Sequence, residues 1–120
     1  MTETNNIKQY DLEDRTYEFA KKVRFFVRKI SRTINNIEDG KQLIRSSGSV
    51  GANYIEANEA LSKKDFRMRI KISRKEAKES RYWLKLIDIS NNKELEQERM
   101  SLISEATELM NIFGAILRNS

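Results

Sequence analysis

Few side chains of this sequence could carry out acid–base or metal chemistry. The 120 residues contain neither His nor Cys, which excludes imidazole catalysis, thiolate nucleophiles and zinc sites built on these ligands. Glu56 and Glu59 lie close together near Tyr54, but they lack the Glu-x-x-His partners of di-iron bundles. Gly40-Lys41 lacks the Gly-x4-Gly-Lys-Ser/Thr pattern of a phosphate-binding loop. The sequence predicts no catalytic residue, metal site or cofactor; a hydrolase using the two glutamates remains an alternative.

The basic residues are concentrated in one segment. The chain has 23 Lys and Arg against 18 Asp and Glu, a net charge of +5. Residues 63–85 carry ten bases and three acids, +7, whereas residues 88–120 carry three bases and six acids, −3. Helical spacing places most of these bases on two overlapping strips, which can neutralise successive phosphates. We predict nucleic-acid contacts at Lys64, Arg67, Lys71, Arg74, Lys75, Lys78, Arg81 and Lys85.

The same strips have a simpler interpretation as a solvated helix face. Pairs at a spacing of three or four residues, such as Lys75 with Glu79, would then share the charge. Both interpretations remain open at the level of the sequence.

Four amphipathic helices must position these residues. Apolar side chains recur at steps of three and four, for example at Phe19, Val23, Phe26 and Ile30. Asp11 is a candidate N-cap of the first helix. The connections are short, which predicts an all-α protein, an up-down-up-down four-helix bundle with left-handed packing and one domain over 1–120. The predicted helices span about 11–32, 37–61, 65–90 and 94–118.

Small residues interrupt the apolar pattern of the second and third helices. The segment Ser46–Ala52 contains two glycines, each costing a helix about 1 kcal/mol relative to Ala. We interpret it as continuous helix, the alternative being a Gly/Ser loop that forms an anion-binding nest. Small residues would let the second and third helices approach closely. The predicted packing residues are Ser47, Gly48, Gly51, Ser73, Ala77 and Ser80.

An oligomer interface is predicted from aromatic and apolar side chains outside the core stripes. Tyr82 and Trp83 could stack on nucleic-acid bases, but amphipathic aromatics at a helix flank more often anchor interfaces. The fourth helix has a second apolar stripe beside its core stripe, which could cover a neighbouring subunit. The predicted interface residues are Tyr82, Trp83, Ile103, Met110 and Leu117.

The sequence gives no sign of a membrane or secreted protein. No apolar run approaches the ~20 residues that a transmembrane helix needs. The polar N-terminus lacks a basic stretch followed by an apolar core, as a signal peptide would have. We therefore expect a cytoplasmic protein without a membrane partner.

Three segments resemble a known family. The run QLIRSSGSVGANYIEA at residues 42–57 resembles the signature of the bacterial four helix bundle proteins, also called 23S ribosomal RNA intervening-sequence proteins. KDF at 64–66 with KEAKESRYWL at 75–84 matches a second signature, and DLEDRTYEFA at 11–20 matches the opening. The family often has a proline between its first two helices, where this chain has Ser31-Arg32.

The resemblance implies a fold and an assembly. It implies an up-down four-helix protomer, a homopentamer and a reading frame within an inserted segment of a ribosomal RNA gene. The accessory variability determinants of diversity-generating retroelements are similar in fold, pentameric and basic, associate with nucleic acid and bind a reverse transcriptase. The leading hypothesis is therefore a non-enzymatic oligomer that binds RNA or DNA electrostatically. The alternative is a scaffolding oligomer that binds a protein partner.

Overall fold

Four α-helices make up the described part of the chain. The computed structural model describes the backbone of residues 2–120 and the side chains of residues 12–120, and it contains no strand over these residues. The first helix begins at Thr2, and not near Asp11 as predicted. The third helix ends at Leu86, before its predicted end at residue 90. The side chain of Asp11, the predicted N-cap, lies outside the described residues. The helices are α1 Thr2–Lys29, α2 Ile34–Asn58, α3 Lys63–Leu86 and α4 Lys93–Arg118.

Each of the last three helices begins at a polar side chain that caps it. The backbone N–H of Asn36 donates to Thr33 Oγ1 at 3.1 Å, and that of Asp65 donates to Ser62 Oγ at 3.0 Å. Asn92 caps α4 by accepting from the N–H of Leu95 at 3.0 Å. These bonds satisfy donors that have no partner inside the helix, so the three connections fix where the helices start.

The helices pack as antiparallel neighbours around one core. α2 lies between α1 and α3, and α4 lies between α3 and α1. The stripe Phe19, Val23, Phe26 and Ile30 is buried, as predicted. Leu12 of α1 is also in the core, and the other core side chains come from the apolar stripes of the rest of the chain: Leu43, Val50, Tyr54, Ala57, Ile70, Ala77, Leu84, Ile87, Leu95, Leu102, Ala106, Leu109 and Phe113.

Serines hold α2 and α3 together at their closest approach. Ser73 Oγ donates to the carbonyl oxygen of Val50 at 2.9 Å. Ser80 Oγ lies 2.8 Å from the carbonyl oxygen of Glu76 and 2.9 Å from Ser46 Oγ. The side chains of Ser46, Val50, Ser73 and Ser80 are fully buried between the two helices. Their small size lets the helix axes lie close together. The buried hydroxyls find their hydrogen-bond partners within this seam.

The glycines of α2 face α1, although the sequence prediction placed them against α3. α2 is continuous through Ser46–Ala52, so the anion-binding loop is excluded. A Cβ on Gly51 would lie 2.9 Å from Thr16 Oγ1, whereas a Cβ on Gly48 would meet only the guanidinium of Arg24 at 3.2 Å. The apolar periodicity of α2 could not predict whether its glycines face α1 or α3, because both helices lie beside the same apolar stripe of α2.

Alanine substitution of these two glycines should have opposite effects. Gly51→Ala pushes a methyl group against the buried side chain of Thr16 and should lower the free energy of unfolding by about 1–3 kcal/mol. Gly48→Ala meets the flexible end of Arg24 and should leave it unchanged or raise it by up to about 1 kcal/mol. Urea denaturation of both variants provides the measurement. A loss of equal size in both would contradict this account of α1–α2 packing.

α4 is the one helix of the described residues that is long and apolar enough to cross a membrane. Its most apolar window has a mean hydropathy of 1.2. In the bundle, however, Leu102, Leu109 and Phe113 of this helix are buried in the protein core. A core helix of a soluble bundle has the same composition, so this feature is weak evidence for a membrane span.

Candidate nucleic-acid interface

The eight predicted bases lie on one side of α3, in rows along the helix. We call these eight residues the basic face. Positions seven residues apart lie nearly above one another on a helix. One row holds Arg67, Arg74 and Arg81, next to α4, and a second holds Lys64, Lys71, Lys78 and Lys85. Lys75 lies in a third row, together with Met68 and Tyr82.

Two arginines of the basic face are tied to α4. Arg67 Nη1 donates to the carbonyl oxygen of Leu117 at 2.8 Å, at the C-terminal end of α4, where unpaired carbonyls and the helix dipole favour a cation. Arg81 Nη1 lies 3.3 Å from Thr107 Oγ1. Both side chains are half-buried. Arg67 and Arg81 therefore hold α3 and α4 in register. Unlike the other bases of the basic face, these two arginines are not free to bind a ligand.

The other six bases of the basic face have no acidic partner among the described residues. Lys64, Lys71, Arg74, Lys75, Lys78 and Lys85 are all exposed, and their side chains form no ion pair or hydrogen bond with another described residue. The guanidinium of Arg74 lies beside Gly114 of α4, where a Cβ built on the glycine would be 3.7 Å from Nε of Arg74, an ordinary van der Waals contact. The face is thus a row of uncompensated positive charge.

The acids of α3 are turned away from this face, toward α2. Glu79 is paired with Arg45 of α2, and Glu76 Oε2 lies 3.4 Å from Nη1 of the same arginine. The interpretation of the basic strips as a solvated helix face predicted an ion pair between Lys75 and Glu79. This pair is absent, because Glu79 is paired with Arg45 across the α2–α3 seam. Glu76 is itself buried, and its Oε1 has no hydrogen-bond partner in the described part of the chain.

A shallow groove between α3 and α4 combines cations with apolar side chains. It has a volume of about 390 Å³. Of the predicted interface residues, Met110 and Leu117 line this groove, and Ile103 is half-buried against the core. The predicted nucleic-acid and oligomer surfaces therefore overlap at Met110 and Leu117. The groove is lined by Lys71, Arg74, Lys75, Lys78, Met110 and Leu117.

The two neighbouring aromatic residues of α3 differ in their exposure. Tyr82 is 57% exposed, and its ring meets the Trp83 ring edge-on at 5.0 Å between centroids, with an interplanar angle of 74°. Trp83 is half-buried and packs against the core, and its buried Nε1 has no acceptor in the described part of the chain. Trp83 is therefore a support for Tyr82 and not an exposed ligand contact.

The carboxylates of the alternative hydrolase interpretation lie on the surface of the bundle. Glu56 and Glu59 are exposed at the end of α2, and the described residues contain no group of three acids that could hold a metal ion. Tyr54 is buried beside Phe113, and burial raises the pKa of its phenol above the usual value of 10.0, the hydrogen bond to Asn58 opposing this shift. A buried, protonated phenol belongs to the core and not to a reaction site.

Another cleft lies between α1 and α4, away from the basic face. Its volume is about 460 Å³. Arg15 spans it, donating to both carboxylate oxygens of Glu105 at 3.1 and 2.7 Å and lying 3.5 Å from Glu108. This bidentate ion pair joins the two helices across the cleft.

Comparison with known proteins gives a family and a structural neighbour. A crystal structure of a protein of unknown function from the S23 ribosomal protein family of Bacteroides thetaiotaomicron is 30% identical, with a TM-score of 0.72, covering 88% of this chain and 97% of that one. No curated protein matches the chain. The family model described as 23S rRNA-intervening sequence protein matches residues 8–115. The match includes α2, α3 and most of α1 and α4, and the chain belongs to the 23S rRNA-intervening sequence protein family.

Proposed function

We propose that this protein is a non-enzymatic bundle that binds nucleic acid through the basic face of α3. The observation that carries the proposal is the set of six exposed cations without acidic partners, on one side of one helix. Bringing this many like charges together is unfavourable, because they repel each other. A polyanion that neutralises them removes that cost and releases its own counterions.

Binding would follow the phosphate backbone and depend little on base sequence. Five of the six free cations are lysines, which act as flexible point charges and lack the planar fork with which arginine recognises guanine. Arg67 and Arg81, which have that fork, are tied to α4. Contacts of this kind position a nucleic acid without specifying its sequence.

We also propose that the protein assembles into a homo-oligomer, which the family resemblance implies to be a pentamer. Several basic faces in one assembly would multiply a modest affinity by raising the effective concentration of each face. Native mass spectrometry at micromolar concentration should show the assembly. A monomer would remove this part of the proposal but leave the single basic face intact.

The salt dependence of binding tests the proposal directly. If all six cations contact phosphates, the slope of log K against log salt concentration should be about −4 for a single strand and about −5 for a duplex, per protomer. A slope of −4 corresponds to about 300-fold weaker binding at about 200 mM than at about 50 mM salt. Fluorescence anisotropy with labelled RNA and DNA measures it. Failure to bind either at low salt would overturn the proposal and favour a protein partner.

A further inference from the structure

We infer that the ligand of the basic face is a single-stranded nucleic acid with a base stacked on Tyr82. The inference rests on the proposed function and narrows it to one class of ligand. Two features of α3 lead to it: the slight winding of the lysine row, and an exposed aromatic ring in line with the cations.

The lysine row is long and winds only slightly around α3, by about 20° for every seven residues. Lys64, Lys71, Lys78 and Lys85 are seven residues apart on one uninterrupted helix, so they recur about every 10 Å over a length of about 31 Å. Each strand of a duplex winds once around its axis in about 34–36 Å. The phosphates of one duplex strand could therefore follow the lysine row only over a short arc, because the strand then turns away from it. An extended single strand can follow the row for its whole length.

Tyr82 supplies a stacking surface at one end of this row. It lies four residues after Lys78 and seven after Lys75, so the three side chains are neighbours on the same helix surface. The ring is more than half exposed, and the core-packed Trp83 supports it edge-on. Bases of a duplex are already stacked on one another, whereas a single strand offers free base faces to such a ring.

The test compares a single strand with a duplex of the same length, in wild-type protein and two variants of Tyr82. A fluorescent strand of about 16 nucleotides is long enough for one such surface. Tyr82→Ala should weaken single-strand binding by about 5- to 140-fold, the contribution of one stacked base, and should leave duplex binding unchanged. Tyr82→Phe should retain the wild-type affinity, because the ring and not the hydroxyl makes the contact.

The outcomes separate this inference from the proposed function. If the protein binds neither the single strand nor the duplex, both the inference and the proposed function are wrong. Duplex binding as tight as single-strand binding, with Tyr82→Ala equal to wild type, overturns the inference and leaves the electrostatic function standing. A loss in Tyr82→Phe as large as that in Tyr82→Ala overturns stacking in favour of a hydroxyl contact. Trp83, the only Trp of the chain, gives a second signal: its fluorescence should change with the single strand and not with the duplex.

Discussion

Replacing Asn36 with leucine should lower the free energy of unfolding by about 3 kcal/mol or more. Asn36 is 2% exposed, and its amide links two connections of the chain. Nδ2 donates to the carbonyl oxygens of Ser31 at 3.0 Å and Asp88 at 2.8 Å, and Oδ1 accepts from the N–H of Asp88 at 2.9 Å. Leucine has a similar volume but leaves these backbone groups without a partner, at about 1–3 kcal/mol each.

Asn35 provides the matched control for this substitution. It is the same residue type, adjacent in the first turn of α2, and exposed. Asn35→Leu should change the free energy of unfolding by no more than about 0.5 kcal/mol. Urea denaturation with equal m-values in the three proteins isolates the difference. Equal losses in both variants would show that the Asn36 amide does not join the two connections.

Asn36 also shows where prediction from the sequence ends. The apolar stripes predicted the core, because a helix side that is buried must be apolar at steps of three and four. An asparagine inside a predicted connection, by contrast, looks like any solvated polar residue. Its partner Asp88 is 52 residues away, and the two meet only because up-down topology brings the first and third connections to the same end.

The candidate site was predictable to the same extent. Charge counts and heptad spacing identified the eight bases and placed them on one helix surface. They could not separate the anchored Arg67 from the free Lys71, because the acceptor of Arg67 is a backbone carbonyl at the end of α4, fixed by how α3 and α4 pack. The ion pair between Glu79 and Arg45 could not be predicted either, because it depends on the side of α3 that carries Glu79 facing α2.

Reversing three charges of the basic face should produce the largest loss of binding. Lys71→Glu, Lys75→Glu and Lys78→Glu together replace half of the six free cations. Each lost phosphate contact weakens single-strand binding about fourfold at about 0.15 M salt, so three cost about 50-fold, and repulsion from the new carboxylates adds to this. The slope of log K against log salt should fall from about −4 to about −2.

A reversal of equal charge elsewhere distinguishes the basic face from the net charge of the chain. Lys21, Lys22 and Arg28 are exposed on α1 and form no ion pair with a described acid. Reversing all three gives a protein of the same net charge as the α3 variant. It should keep the slope near −4, because a charge beyond about 10 Å from the ligand is screened at this salt concentration. If both triple variants lose the same affinity and slope, binding follows the overall charge, and the six cations of α3 are an ordinary solvated helix surface.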